Sequence, residues 1–364
     1  MRGEWARSRE APPRPAHDAT AETGVPQRRH HPMPNDTVTS DGWAERAKTL
    51  EAEVRRLRAQ LARYNVTADH DINHPGPIFV GGTGRSGTWV VGRLFNHDPD
   101  IVTIPTELRF HASDAGFRDV LGGEETPQEF GERVRDRWYD IRGASGSVKG
   151  LCLLVARHEL NLATKELVRL ADDDLPRALA TYMRQLVDPY ALGRGATRWV
   201  ETTPDNASQA DTLHRVFPQS RVVHVVRDGR DVAASTIKRS WGPSTWDETF
   251  DWWEKRMRAA DVATGRADPT RMLTIRLEDL VLREREKTLN SLLELVLATK
   301  PDLVRRYFES SMTTDDANVG RWRDDTDRDD SVRIDKEYRK RYRSMSDDGV
   351  SCLPIPPDAA DALR

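Results

Sequence analysis

Cysteine is almost missing from this chain: Cys152 and Cys352 are the only two among 364 residues. They stand far apart and without metal-ligand spacing. Neither a disulfide framework nor a zinc site is expected, and the pattern suits a reducing, cytoplasmic setting. Long apolar runs are missing too. No stretch approaches the ~20 residues of a membrane span, and no apolar core follows the N-terminal arginines to make a secretory signal. A dominant charge is also lacking, since 56 basic residues face 59 acidic ones for a net charge of −3. Nucleic acid and anionic lipid are therefore not expected as bulk electrostatic partners, although a local basic pocket is compatible with that balance. Lysine is scarce, nine of the 56 basic residues, a bias that GC-rich coding explains. Apolar residues make up 37 %, below the usual 45–50 %, but they are unevenly spread. Ten tryptophans and the apolar runs at 78–80 and 222–226 exclude a wholly disordered chain.

Residues 1–40 are rich in Pro, Arg, His, Asp and Thr and read as a disordered tail. Within it, Arg28-Arg29-His30-His31 reads as solvated chain rather than a metal site, and Met33 is an alternative start. Residues 41–66 read as an amphipathic helix with Asp41 as N-cap. Leu50, Val54, Leu57, Leu61 and Tyr64 follow a heptad seam. Two and a half heptads fit either a homodimer formed through 41–64 or a helix lying on the domain.

From residue 77 the pattern becomes strand, loop and helix in alternation. Ile78-Phe79-Val80 is a short apolar strand, Ile101 to Ile104 a second and Trp199-Val200-Glu201 a third. Arg221 to Val226 is the strongest, a β-branched run suited to a buried parallel strand. Helices are expected at 229–239, 245–263 and 283–298, with another strand at 271–277. Between strands two and three, residues 112–198 read as a mostly helical insertion. Strands alternating with helices predict an α/β fold with a parallel sheet. Residues 331–364 read as a C-terminal extension, and Trp252-Trp253 as helix core.

Two segments carry chemistry. Gly82-Thr83-Gly84-Arg85-Ser86-Gly87-Thr88 joins the first strand to a helix. Loop amides and a helix N-terminus converging on one spot make an anion cradle. The loop nearly fits the nucleotide-triphosphate pattern GxxxxGK[ST] but has Thr88 where lysine is required, and its cation sits at Arg85. Gly82, Gly84 and Gly87 also fit a dinucleotide fingerprint, with Glu107 the one acidic candidate for it. The second segment, Arg227-Asp228-Gly229-Arg230-Asp231-Val232-Ala233-Ala234-Ser235, follows the strongest strand. Arginine at a strand end can fork onto a phosphate. Ser235 falls about two turns along the next helix, where its hydroxyl can face the same anion. Two grips on strand ends suit a nucleotide with phosphates at both ends.

The pair GxxRSGT and VxRDxRDVxxS, in this order, resembles the sulfotransferases, which use 3′-phosphoadenosine 5′-phosphosulfate (PAPS). Three further segments are similar to family motifs: Glu201-Thr202-Thr203-Pro204-Asp205-Asn206, Arg276-Leu277-Glu278-Asp279-Leu280-Val281 and Gly320-Arg321-Trp322-Arg323. The likeness covers about 78–325 of a domain placed at 76–330, and is best to the bacterial and Golgi-type carbohydrate group. It implies a P-loop-like sheet. It implies that Gly84, Arg85, Ser86, Gly87, Thr88 and Trp89 hold the 5′ phosphosulfate. Arg227 and Ser235 would hold the 3′ phosphate, helped by Arg321, Trp322 and Arg323. It implies Glu107 as the catalytic base, with His111 the next candidate and Arg85 as the catalytic cation. Glu201 reads as structural or substrate-positioning. No metal motif is seen. Two positions depart from the family: Trp89 replaces a second hydroxyl after the loop glycine, and Thr202 replaces a lysine, with Lys149 a possible substitute cation. The acceptor implied is a hydroxyl on a carbohydrate, glycolipid or secondary metabolite. An ATP-using kinase-like enzyme and a non-catalytic coiled-coil assembly protein are the alternatives.

Overall fold

The computed structural model describes residues 45–50, 53, 54, 57, 75–143, 146–314 and 318–363. The chain divides into two units, Met1–Ala52 and Glu53–Arg364. In the first, residues 45–50 are helical and Leu50 is exposed. Val54 and Leu57 are helical and exposed as well. The rest of the expected seam, Leu61 and Tyr64, and the tail at 1–40 lie outside the described residues.

The second unit is built on a five-stranded parallel sheet. Its main strands are β1 (Ile78–Gly82), β2 (Ile101–Thr103), β5 (Arg198–Glu201), β6 (Arg221–Val226) and β7 (Met272–Arg276), in the spatial order β2-β5-β1-β6-β7. A separate two-stranded antiparallel ribbon pairs β3 (Ile141–Arg142) with β4 (Val148–Lys149). β1 is fully buried, and alternate side chains serve opposite faces. Phe79 packs with Val102, Trp199 and Val222 under the helical insertion. Ile78 and Val80 pack on the other face with Val200, Val223 and Ile275. Burial on both faces explains why β6 reads as an unbroken valine-rich run.

The insertion contains α2 (Phe117–Gly122), α3 (Pro127–Arg133), α4 (Arg157–Ala171) and α5 (Leu175–Leu192). Asp174 caps α5 by accepting from the Arg177 amide at 3.1 Å, as an acidic helix start should. A π-helical turn, Val134–Trp138, follows α3. Periodicity gave no sign of it, or of the β3–β4 ribbon.

Helix α1 (Thr88–Phe95) follows β1, α6 (Ala210–Val216) precedes β6 and α7 (Gly229–Ile237) follows it. Next come α8 (Trp246–Arg266), α9 (Arg285–Leu295), α10 (Pro301–Ser311), α11 (Arg328–Asp347) and α12 (Pro357–Asp361). Helix α8 starts with a reciprocal cap between Thr245 and Glu248. The C-terminal segment is not simply appended. Ile334, Tyr338 and Met345 of α11 are buried in one cluster with Phe250 and Trp253 of α8. β1 stands between β5 and β6, and the loops leaving β1 and β6 emerge side by side at the carboxyl edge. In open α/β sheets that edge is where ligands bind.

Candidate active site

The loop after β1 turns in left-handed backbone. Gly84 has φ 87°, Arg85 φ 57° and Gly87 φ 100°. The φ at Gly87 is one that glycine adopts without strain, and a Cβ there would also have to push aside the tip of Leu277, whose Cδ1 lies 2.9 Å from that position. A left-handed arginine stores strain of the sort found at ligand clamps. No side chain caps α1, so its first amides remain available to an anion.

Arg85 reaches across the crevice. Its Nε donates to Ser235 Oγ at 2.9 Å. Arg227 Nη1 donates to the Arg85 carbonyl at 3.0 Å and Nη2 to the Asn318 carbonyl at 2.5 Å. Thus the two predicted grips meet. Arg227 Nε is buried and finds no hydrogen-bond partner among the described residues. Burial, then the charges of Arg239 and Arg227, hold the Arg85 guanidinium below its usual range. Crowded cations with an orphaned donor fit a multiply charged anion. Thr88 and Trp89 line the same cavity, of about 820 Å³, whereas Ser86 is fully buried with its hydroxyl unpartnered.

The late loop is placed differently from expectation. Trp322 is buried in the cluster formed by α7, α8 and α11. Arg323 pairs with Asp361 at 2.7 Å. Arg321 is exposed and bonds Asn318. None of the three lines the cavity; Asn318 and Val319 do. What fixes this loop is Asp231, whose carboxylate accepts from the Gly320 amide at 2.8 Å and the Trp322 amide at 3.1 Å. Its Oδ2 also lies 3.5 Å from Arg227 Nη2. Burial is the largest influence on this carboxyl and pushes it above its usual range, with the Arg227 charge opposing.

Glu107 lines the cavity on the loop after β2. Both Arg109 donors land on its Oε2, and no hydrogen bond from a described residue reaches Oε1. The loop is braced from below by Glu201, which is fully buried. Glu201 accepts from the Leu108 amide at 3.0 Å, the Thr203 amide at 3.0 Å, the Thr203 hydroxyl at 2.6 Å and Asn206 Nδ2 at 2.6 Å. Thr203 Oγ1 in turn accepts from the Arg109 amide at 3.1 Å, holding that residue at φ 60°. His111 is buried against Asn206, 2.7 Å away, and lies outside the cavity lining. Lys149 is exposed on the ribbon and does not line the cavity either.

Trp252, expected as helix core, instead faces the cavity beside Gly84, while Trp253 fills the core. A one-residue step rotates a helical side chain by ~100°, so adjacent tryptophans can part in this way. Arg256 lies over Trp252 and pairs with Asp205 at 2.7 Å. Trp89, Trp138 and Trp241 add further aromatic surface.

A parallel sheet whose first strand ends in a glycine-rich loop opening a helix makes this a P-loop-like α/β protein. More particularly, residues 77–299 match the model of the sulfotransferase family, and the chain belongs to that family. No curated protein matches the chain. Among solved structures, a sulfotransferase from Mycobacterium tuberculosis is 18 % identical, with 70 % of this chain and 76 % of that one covered and a TM-score of 0.39. A sulfotransferase from Mycobacterium avium is 14 % identical, with 79 % and 81 % covered and a TM-score of 0.41. The sulfotransferase domain of a Synechococcus olefin synthase is 17 % identical, with 73 % and 96 % covered and a TM-score of 0.40.

Proposed function

We propose that the protein moves a sulfuryl group from PAPS to a hydroxyl acceptor. The observation that carries this reading is the joined cationic grip of Arg85 and Arg227 at the uncapped start of α1, with Arg227 Nε unsatisfied. The loop amides and Arg85 would neutralise the 5′ end, and Arg227 with Ser235 the 3′ phosphate. PAPS supplies an activated sulfuryl group on a phosphate leaving group. The acceptor oxygen forms the new S–O bond as the bond to the 5′ phosphate breaks. Glu107 Oε1 takes the acceptor proton, and Arg85 faces the charge left on the phosphate. Positioning and fixed charge supply most of such a rate enhancement, as in phosphoryl transfer. The acceptor is a small molecule or glycan hydroxyl, on a carbohydrate, glycolipid or secondary metabolite.

The test is calorimetric titration with PAP, the desulfated product, against ATP with and without magnesium. Micromolar PAP binding is expected, weakened about tenfold or more in both Arg227→Ala and Ser235→Ala. Tighter, magnesium-dependent ATP binding would refute the reading in favour of a kinase. Binding of neither would favour an assembly role.

A further inference from the structure

The donor grips leave two cavity arginines without a task. Of the arginines lining the cavity, Arg85 and Arg227 form the grip, Arg109 pairs with Glu107, and Arg256 pairs with Asp205. That leaves Arg93 and Arg137. Neither has an ion pair with any described residue.

Each has aromatic side chains near it in sequence or space. Arg93 is exposed on α1, one turn beyond Trp89, which is 41 % exposed. One turn further stands His97, stacked on Tyr307 of α10 with ring centroids 3.5 Å apart. Arg93, Trp89 and Tyr307 all line the cavity. Arg137 lies over the ring of Trp138 at 5.0 Å. The π-helical turn Val134–Trp138 carries this pair to the cavity from the insertion, and such turns are frequent at functional sites. Guanidinium groups without an ion pair among the described residues, in a cavity with half-exposed rings, suit an apolar body bearing a negative group.

Resting on the sulfotransferase reading, we propose that the acceptor is an anionic amphiphile: its hydroxyl sits on an apolar or aromatic body whose carboxylate, phosphate or sulfate group is held by Arg93 and Arg137. Recognition of that charge is separate from the donor grips, because neither arginine touches Arg85, Arg227 or Ser235.

The test uses the full chain saturated with PAP and titrated with 12-hydroxydodecanoate, its methyl ester and 4-hydroxybutyrate. The long acid is expected to bind at least about tenfold more tightly than either of the others. The double variant Arg93→Gln/Arg137→Gln should remove the preference over the ester while PAP affinity changes less than about threefold. Arg93→Lys/Arg137→Lys should restore part of it. Equal binding of acid and ester overturns the proposal, as does binding of neither. Equal binding of both acids overturns the apolar half of it. The two readings fail separately. A protein that takes PAP but not the acid keeps the donor assignment and loses this one. A protein that ignores PAP yet prefers the long acid does the reverse.

Discussion

Glu278 lies in the segment similar to the family's R-Y-E-D-L-V motif, and replacing it with glutamine should make the protein more stable above neutral pH. The side chain is fully buried. One oxygen, Oε1, accepts from the Asp228 amide at 2.9 Å, and the other, Oε2, is buried without a partner. Burial, opposed by that amide and reinforced by the Asp228 charge, pushes the carboxyl from its ordinary 4.5 up to about 7. Between those values the folded protein holds a proton that the unfolded chain has lost. Stability contributed by this group is therefore complete below pH 4.5 and is lost as pH rises to about 7. At about 1.4 kcal/mol per pH unit, the loss is about 3 kcal/mol. Glu278→Gln stays neutral, keeps the acceptor for Asp228 and places an amide N–H₂ where Oε2 was unpartnered. The protonated parent already carries an unmet O–H at that place, so at pH 5 the two proteins should be about equally stable. At pH 8 the variant should be the more stable, by up to about 3 kcal/mol. Urea unfolding followed by tryptophan fluorescence at pH 5 and pH 8 reads the difference. His214 and His224, both pushed by burial down to about 4, occur in both proteins and cancel. A stability difference that is the same at the two pH values would refute the reasoning.

Glu107→Gln should lower turnover by about 10²–10⁴-fold with PAP affinity unchanged, because only proton transfer is removed; full activity in single-turnover sulfation would remove it as the base. Asp231→Asn retains one acceptor for two amides, so either Gly320 or Trp322 is left unmet. Expected effects are about 1–3 kcal/mol of stability and roughly tenfold weaker PAP binding, read by calorimetry. Glu201→Gln presents an N–H₂ to neighbours that are themselves donors, and should cost about 3 kcal/mol or more in urea unfolding. A Glu201→Gln protein as stable as the parent would contradict the bracing role.

The sheet was legible because its signals are local. β6 is a valine run, β1 an apolar triplet before glycines, and the order of turns and helices between them allowed few arrangements. The turn after β1 was legible for the same reason, since glycine at Gly84 and Gly87 answers to backbone φ. The late loop was not. Its sequence shows two arginines beside a tryptophan, but which of them meets a ligand depends on how α11 and α12 pack, and Asp361 claims Arg323. Trp252 was misplaced because one helix can serve both core and cavity, and adjacent identical residues carry no phase. The role of Asp231 was hidden inside a motif whose arginine and serine draw the eye. A buried carboxylate receiving two amides from a loop ninety residues away leaves no mark on local periodicity.

Three of the acidic residues in the matched motifs therefore act beneath the site rather than in it. Glu201 fixes the loop that carries Glu107, Asp231 fixes the loop that carries Asn318, and Glu278 fixes the amide of Asp228 beside Arg227. Each is a carboxylate taken out of water to receive backbone donors. Such burial is costly unless the geometry is specific, and the three differ in how well they meet that condition. Glu201 is satisfied on both oxygens, and Asp231 is satisfied but raised by burial. Glu278 keeps one oxygen empty next to the anion grip. Asp231 lies 3.5 Å from Arg227 Nη2, and Glu278 feels the charge of the same guanidinium. Glu278, pushed up to about 7, changes protonation across neutral pH close to that guanidinium. Donor affinity measured across pH 6 to 8 should accordingly change in the parent and stay flatter in Glu278→Gln.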